Sequence, residues 1–380
     1  LRLGQFLGAG HIARPQRGRA ARRPATPMPW IGGSKRLFLC AERCRQCFSP
    51  VDPEHLAMRS RFMSLEGTGN DIIYRIFPPR SISRYLTFER LIGSGGYGTV
   101  YLAHATEEGL RHIDVLTPGG RYAVKRVKMR RRGFAEEVGR SICALPIERH
   151  MEVLSQLRNP GHLSDYFVRV FAMVVEVGRA HYQCMEFLEG PDLFDYVAAR
   201  DETLPEALAA ALSRQILSAV HHLHRSIGAI HRDIKPENFG FAKPIGAPGE
   251  PLPRLKLFDI GLAWILPQPI VDDSAHKLIV LGRAGTPLYM APESWEGHFG
   301  APSDIWSAGL VIYLLLSFEL PFGLLSARHP MEATTMRPLT FGASCWAGIS
   351  NSAKELLSSL LHKEPAQRAS TPVAMASQWL

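Results

Sequence analysis

Three stretches of this chain combine residue types suited to phosphate chemistry. Gly93-Ser94-Gly95-Gly96-Tyr97-Gly98-Thr99-Val100 fits the pattern G-x-G-x-x-G-x-V, in which glycines let the backbone approach phosphates closely and aim its amides at them. Further on, Ala123-Val124-Lys125 carries an ammonium, a compact countercharge that can reach the same phosphates. The third stretch is His231-Arg232-Asp233-Ile234-Lys235-Pro236-Glu237-Asn238, followed by Asp259-Ile260-Gly261 and Ala291-Pro292-Glu293. Each element has a plainer reading by itself. A glycine string of this kind also serves dinucleotide-binding folds, a lone strand lysine is usually a solvated edge residue, and any one of the carboxylates can be a surface charge.

The elements that must position these groups discriminate between the readings. Apolar and polar residues alternate from Tyr85 to Ile92, run into the glycines, and resume from Thr99 to Ala103, which predicts a β-hairpin closed by a glycine-rich loop. The glycines lie between two strands rather than at the start of a helix, against the dinucleotide pattern. A third strand is expected over Arg121 to Val127, a helix from Phe134 through Leu157, and further strands over Phe167 to Glu176 and His181 to Phe187. Beyond Asp192 helices dominate, notably Leu204 to Ile227, Pro302 to Phe318 and Ser352 to Leu361. A strand-rich first part and a helix-rich second part predict two lobes with a cleft between them. The loops over 103–121 and 241–254, rich in Pro and Gly, read as surface insertions.

The bulk composition bounds the class. The 380 residues, 46% of them apolar, suffice for a large core or two lobes. The net charge of +9 is unevenly placed: residues 1 to 86 hold fifteen Lys/Arg against five Asp/Glu, residues 87 to 380 twenty-nine against thirty. Basicity therefore belongs to the tail, and a near-neutral remainder argues against nucleic acid as the main partner. Residues 1 to 84 read as a basic, disordered extension. Within it, Cys40, Cys44 and Cys47 fall inside eight residues; a zinc site there would need a fourth ligand, with only His55 nearby. A flexible segment and lipidated cysteines are the other readings. Six cysteines make no disulfide scaffold and no secretory signal opens the sequence, so a cytoplasmic location is the default. The apolar run from Ala308 to Phe322 contains Glu319 and is shorter than the roughly 20 residues of a spanning helix; it is expected to be a buried core helix.

The order and spacing of these strings resemble the protein kinase family over roughly residues 85 to 379, most closely its calcium- and calcium/calmodulin-dependent members. The resemblance implies a bilobal α+β fold, with a five-stranded antiparallel sheet above a larger helical lobe. It divides residues 85–380 into an N-lobe and hinge (85–188) and a C-lobe (189–380). It implies ATP and Mg²⁺ in the cleft, with Gly93, Ser94, Gly95, Gly96, Tyr97, Gly98, Val100, Ala123 and Lys125 around the nucleotide. Met185 would guard the pocket behind adenine, backbone groups of Glu186 and Leu188 would read the adenine edge, and Asp192 would lie by the ribose. Asp233 would accept or orient the proton of the substrate hydroxyl, Lys235 would steady the transferred phosphoryl group, and Asn238 and Asp259 would hold magnesium. Asp304 would accept hydrogen bonds from the catalytic-loop backbone, and Arg368 would pair with Glu293.

Lys235 in its loop, with Gly285-Thr286-Pro287 before Ala-Pro-Glu, resembles serine/threonine rather than tyrosine kinases. Glu237 and Asp192 resemble positions that bind an arginine upstream of the target hydroxyl. Protein substrates in basic contexts and a regulatory protein are the implied partners. An alternative is a kinase-fold scaffold that binds ATP and acts through interaction; such scaffolds usually lose one of the four groups that are all present here, Lys125, Asp233, Asn238 and Asp259.

The sequence departs from the family pattern at three places. His150 falls where a helix glutamate normally meets Lys125, with Glu148 and Glu152 flanking it. Ile260 replaces the usual Phe or Leu. No Ser, Thr or Tyr lies between Lys277 and Gly285, and Gly282 occupies a place where many kinases are phosphorylated. This predicts activity without ordinary activation-loop phosphorylation, with Asp272 or Asp273 supplying a fixed charge to Arg232 and Ser274 left as a site of modification.

Overall fold

The structure is a computed structural model, and it describes residues 73–77, 82–95, 98–113, 116–128, 165–176, 180–246, 250–266, 270, 278–342 and 344–380. The cysteine cluster, Gly96, Tyr97, the Glu148-to-Glu152 stretch and Asp272 to Ser274 lie outside them.

The first lobe is a six-stranded sheet in the order β1-β5-β6-β4-β3-β2. Its strands are β1 (Ile73–Phe77), β2 (Leu86–Gly95), β3 (Gly98–Ala105), β4 (Arg121–Lys128), β5 (Val170–Glu176) and β6 (Ala180–Glu186). Five of them pair antiparallel, as expected. The sixth, β1, pairs parallel with β5, Ile73 opposite Ala172. It comes from the stretch assigned to the basic extension, so the sheet begins upstream of residue 85. A parallel edge strand joined by a long connection carries no hairpin signature in the sequence.

The 103–121 loop also differs from expectation. It contains a helix, α2 (Glu107–His112), capped by the Thr106 hydroxyl, which accepts from the Gly109 N–H at 2.9 Å. With α1 (Ile82–Tyr85), this insertion covers the sheet rather than lying free on the surface. Ile82, Tyr85, Ile113 and Leu116 join Leu86, Tyr122, Val124 and Tyr182 in one buried cluster. Burial of several such side chains, each contributing about 1.5–3 kcal/mol, explains why the insertion folds onto the sheet.

The second lobe is built on two long helices, introduced after α3 (Leu193–Ala198): α4 (Glu206–His222) and α5 (Ala301–Ser317). In α4 the buried residues Ala209, Leu212, Ser213, Ile216, Leu217 and Val220 recur at three- and four-residue spacing, one apolar stripe turned inward. Every residue of α5 is buried, so the apolar run is the expected core helix as far as Ser317; Phe318, at φ +57°, ends the helix and the rest of the run lies beyond it. Around them lie the short strands β7 (Ala229–Ile230), β8 (Phe239–Phe241), β9 (Leu255–Leu257), β10 (Trp264–Ile265), β11 (Ile279–Val280) and β12 (His298–Phe299), then α6 (Pro330–Met336), α7 (Asn351–Leu360) and α8 (Thr371–Met375). Among the described residues no helix is long and apolar enough to cross a membrane.

Candidate active site

Strand register brings the first two motifs together. Gly93 pairs with Val100, and Val100 with Lys125 on the far side, so the lysine stands one strand from the glycine hairpin. Gly98 has φ +146°, and a Cβ there would fall 2.4 Å from the Arg126 carbonyl oxygen. Only glycine closes the hairpin at this position. Ala123 is buried opposite Met185 of β6, which puts the expected adenine-side residues side by side.

The connector after β6 is held at Glu186. Its N–H donates to the Arg169 carbonyl at 2.8 Å, and its carboxylate accepts from the Arg169 N–H at 3.1 Å and from Lys256 Nζ at 2.6 and 2.8 Å. The Glu186 side chain, which no local motif marks, thus ties the connector to β9. Asp192 caps α3, accepting from the Asp195 N–H at 2.7 Å. Burial first, then the charges of Asp195 and Glu237, push its carboxyl up to about 6 against the pull of backbone hydrogen bonds.

The third motif is a loop between β7 and β8 that the buried Asp304 organises. Its Oδ2 accepts from the His231 N–H at 2.7 Å and its Oδ1 from the Arg232 N–H at 2.9 Å, while His224 Nε2 lies 2.9 Å from Oδ2. Arg232 has φ +70°, a conformation that costs about 1–3 kcal/mol unless its surroundings impose it; these hydrogen bonds impose it. Next to it, Asp233 lies 3.3 Å from Lys235 Nζ, and Asn238 Nδ2 donates to the Asp233 carbonyl at 2.7 Å. That bond leaves the Asn238 amide oxygen available as a metal ligand.

The β8/β9 hairpin carries Asp259 to the same place. The Phe258 N–H donates to the Asn238 carbonyl at 2.9 Å, and the His231 ring lies 3.3 Å from the Phe258 carbonyl oxygen. Asp259 itself forms an ion pair with Lys125 across the cleft. Burial works to raise its pKa, but the Lys125 ammonium, the hydrogen bond from it and His231 outweigh burial and hold the carboxyl below its ordinary value. An ionised carboxylate and an amide oxygen on adjoining loops suit Mg²⁺, which takes the rest of its shell from phosphate and water.

The segment before Ala291-Pro292-Glu293 packs on this loop. The Thr286 hydroxyl and N–H both bind Asp233, and Lys235 Nζ donates to the Thr286 hydroxyl at 2.8 Å. Gly285, at φ +99°, passes so close that a Cβ would lie 2.4 Å from the Arg232 carbonyl oxygen. β11 pairs with β12; the Arg232 guanidinium sits 4.7 Å from the Phe299 ring centre and donates to the Gly282 carbonyl at 3.4 Å. Glu293 receives two bonds from Arg368, at 2.6 and 2.7 Å, as expected.

A glycine hairpin, a buried lysine, two potential metal ligands and a held carboxylate beside a lysine make a site able to cradle a triphosphate and orient a hydroxyl towards it. That is the constellation of a phosphotransferase.

Comparison with known proteins agrees. The protein kinase domain family matches residues 86–380. Calcium-dependent protein kinase 12 of Oryza sativa subsp. japonica is 32% identical over 300 residues, covering 79% of this chain and 50% of that protein. CBL-interacting serine/threonine-protein kinase 16 of Arabidopsis thaliana is 34% identical over 307 residues, 76% of this chain and 55% of the relative. Calcium/calmodulin-dependent protein kinase type I of Schizosaccharomyces pombe is 34% identical over 220 residues, 58% and 59% of the two chains. The chain belongs to the protein kinase family. It spans about half the length of the curated relatives it matches.

Proposed function

We propose that this chain is an ATP-dependent protein serine/threonine kinase. MgATP, when bound, supplies the γ-phosphoryl group. Asp233 accepts or orients the proton of the attacking Ser/Thr hydroxyl, and Lys235 balances charge on the phosphoryl group in flight. Asn238 and Asp259 would hold the metal, and Lys125 would neutralise phosphate charge. Gly93, Gly95 and Gly98 of the hairpin would lie over the phosphates, Val100, Ala123, Met185 and Leu188 would enclose the purine, and Asp192 would lie by the ribose. The observation that carries this reading is the convergence of Lys125, Asp259, Asn238 and Asp233, linked by the Lys125–Asp259 ion pair, the Phe258 N–H to the Asn238 carbonyl and the Asn238 side-chain amide to the Asp233 carbonyl.

Substrates in this reading are proteins with Ser/Thr in basic contexts. Glu237 Oε2 is buried without a hydrogen-bond partner, and burial first, then the Asp233 charge, raises its pKa despite Lys235. An arginine brought by a substrate would relieve that carboxylate. The enzyme is assigned to the cytoplasm, with a regulatory protein as a further partner.

The test is phosphate transfer from radiolabelled MgATP to an Arg-containing Ser/Thr peptide. Transfer to serine or threonine supports the proposal; a folded chain that binds ATP and transfers nothing overturns it.

A further inference from the structure

Gly240 sits in β8 between the metal-site residue Asn238 and the connector that follows β6. The connector runs antiparallel against β8. Gly190 N–H donates to the Phe241 carbonyl at 3.1 Å, Phe241 N–H to the Pro191 carbonyl at 3.0 Å, and Asp192 bridges Gly240. With the backbone clamped this way, the Leu188 side chain occupies the space where a β8 side chain would stand. A Cβ on Gly240 would fall 2.6 Å from Leu188 Cδ1 and 3.2 Å from Phe258 Cε1. The strand withholds a side chain and the connector fills the gap from above, with the Phe258 edge completing the surface.

We propose that Gly240 and Leu188 form a size-matched pair that sets how tightly the cleft holds the purine of MgATP. The empty Gly240 position is the seat of Leu188, and Leu188 with Phe258 is the apolar surface on which the purine lies. The inference rests on the kinase reading, because it takes the Leu188 connector as the purine site. A side chain at 240 drives the tip of Leu188 out of its seat, a movement that a flexible side chain makes without unfolding β8. The displaced leucine then occupies purine space and leaves the phosphate and metal groups untouched.

The experiment measures Kd for MgATP, and for magnesium tripolyphosphate as a purine-free probe, on the full chain and on Gly240→Ala, Gly240→Val, Leu188→Ala and the Gly240→Val/Leu188→Ala pair. Overpacking of this kind predicts that Gly240→Val weakens MgATP by about tenfold or more, and that the pair returns to within about threefold of wild type because total volume is nearly conserved. Tripolyphosphate affinity stays unchanged throughout. Should Gly240→Val fail to fold, Gly240→Ala, whose Cβ meets only the leucine tip at under 3 Å, shows the same selective loss in smaller degree. Wild-type affinity for MgATP in the folded Gly240 variants, a pair no tighter than Gly240→Val, or equal losses of MgATP and tripolyphosphate would each overturn the inference alone. A wild-type chain that binds no MgATP would overturn the kinase reading with it.

Discussion

Thr286 holds Asp233 through two hydrogen bonds, its N–H donating to Oδ1 at 2.8 Å and its hydroxyl at 2.7 Å. The same hydroxyl accepts from Lys235, so one side chain fixes the distance between the proposed base and the proposed phosphoryl-binding lysine. Thr286→Val removes both hydroxyl links while keeping the shape. Its kcat should fall at least about tenfold, a fraction of the value of a positioned general base, whereas Thr286→Ser keeps most activity. Steady-state kinetics on a Ser/Thr peptide check this; equal kcat for the Val variant and wild type would show that Thr286 does not position Asp233.

Asp304 is the buried anchor of the loop that carries Asp233. Asp304→Ala leaves the His231 and Arg232 N–H groups without their acceptor, a loss expected to lower stability by about 3 kcal/mol. Urea unfolding followed by circular dichroism measures it, and a change below about 1 kcal/mol would contradict the anchoring role.

Glu237 should be felt only by substrates that carry arginine. Glu237→Gln removes the charge with little change of shape, so KM for an Arg-containing peptide should rise about tenfold, the equivalent of 1.4 kcal/mol. An Arg-free peptide should be phosphorylated as before. Parallel losses on both peptides would point to a structural role.

Asp192 gives a pH dependence with a definite sign. Its folded-state pKa of about 6 exceeds the ordinary 3.8, so between those values the folded chain holds the proton more tightly than the unfolded chain does. Its contribution to stability is therefore greatest at low pH and is lost as pH rises through that window. Asp192→Asn, which can still cap α3, should flatten this part of the stability profile, as read from denaturant midpoints at pH 4, 5, 6 and 7 (chosen to bracket about 4 to 6). An unchanged profile would contradict the assignment.

Arg232 lies against the Phe299 ring and donates to the Gly282 carbonyl, and residues 278–285 offer no hydroxyl to phosphorylate. Phosphatase treatment should leave kcat/KM unchanged. Loss of activity with a phosphate removed from Ser274 would show that the segment depends on modification after all.

The motifs that carry chemistry were legible because their spacing is set by local backbone demands: Gly98 by its close approach to Arg126, the His231-to-Asn238 string by one tight loop. The Asp304 and Glu293–Arg368 contacts were legible only through resemblance, since nothing local pairs residues so far apart in sequence. β1 was hidden because its partner lies about a hundred residues later, and α2 because six residues are too few to show helical periodicity. The Glu186–Lys256 ion pair and the seat of Leu188 over Gly240 arise from tertiary placement, which no spacing rule encodes.

Phosphotransfer by this cleft is measured by comparing wild type with Asp233→Asn and Lys125→Met in phosphate transfer from radiolabelled MgATP to an Arg-containing Ser/Thr peptide. Wild type should transfer phosphate, with a loss of at least about a hundredfold in each variant although both stay folded. Transfer that survives in folded Asp233→Asn at the wild-type rate would contradict the role of Asp233.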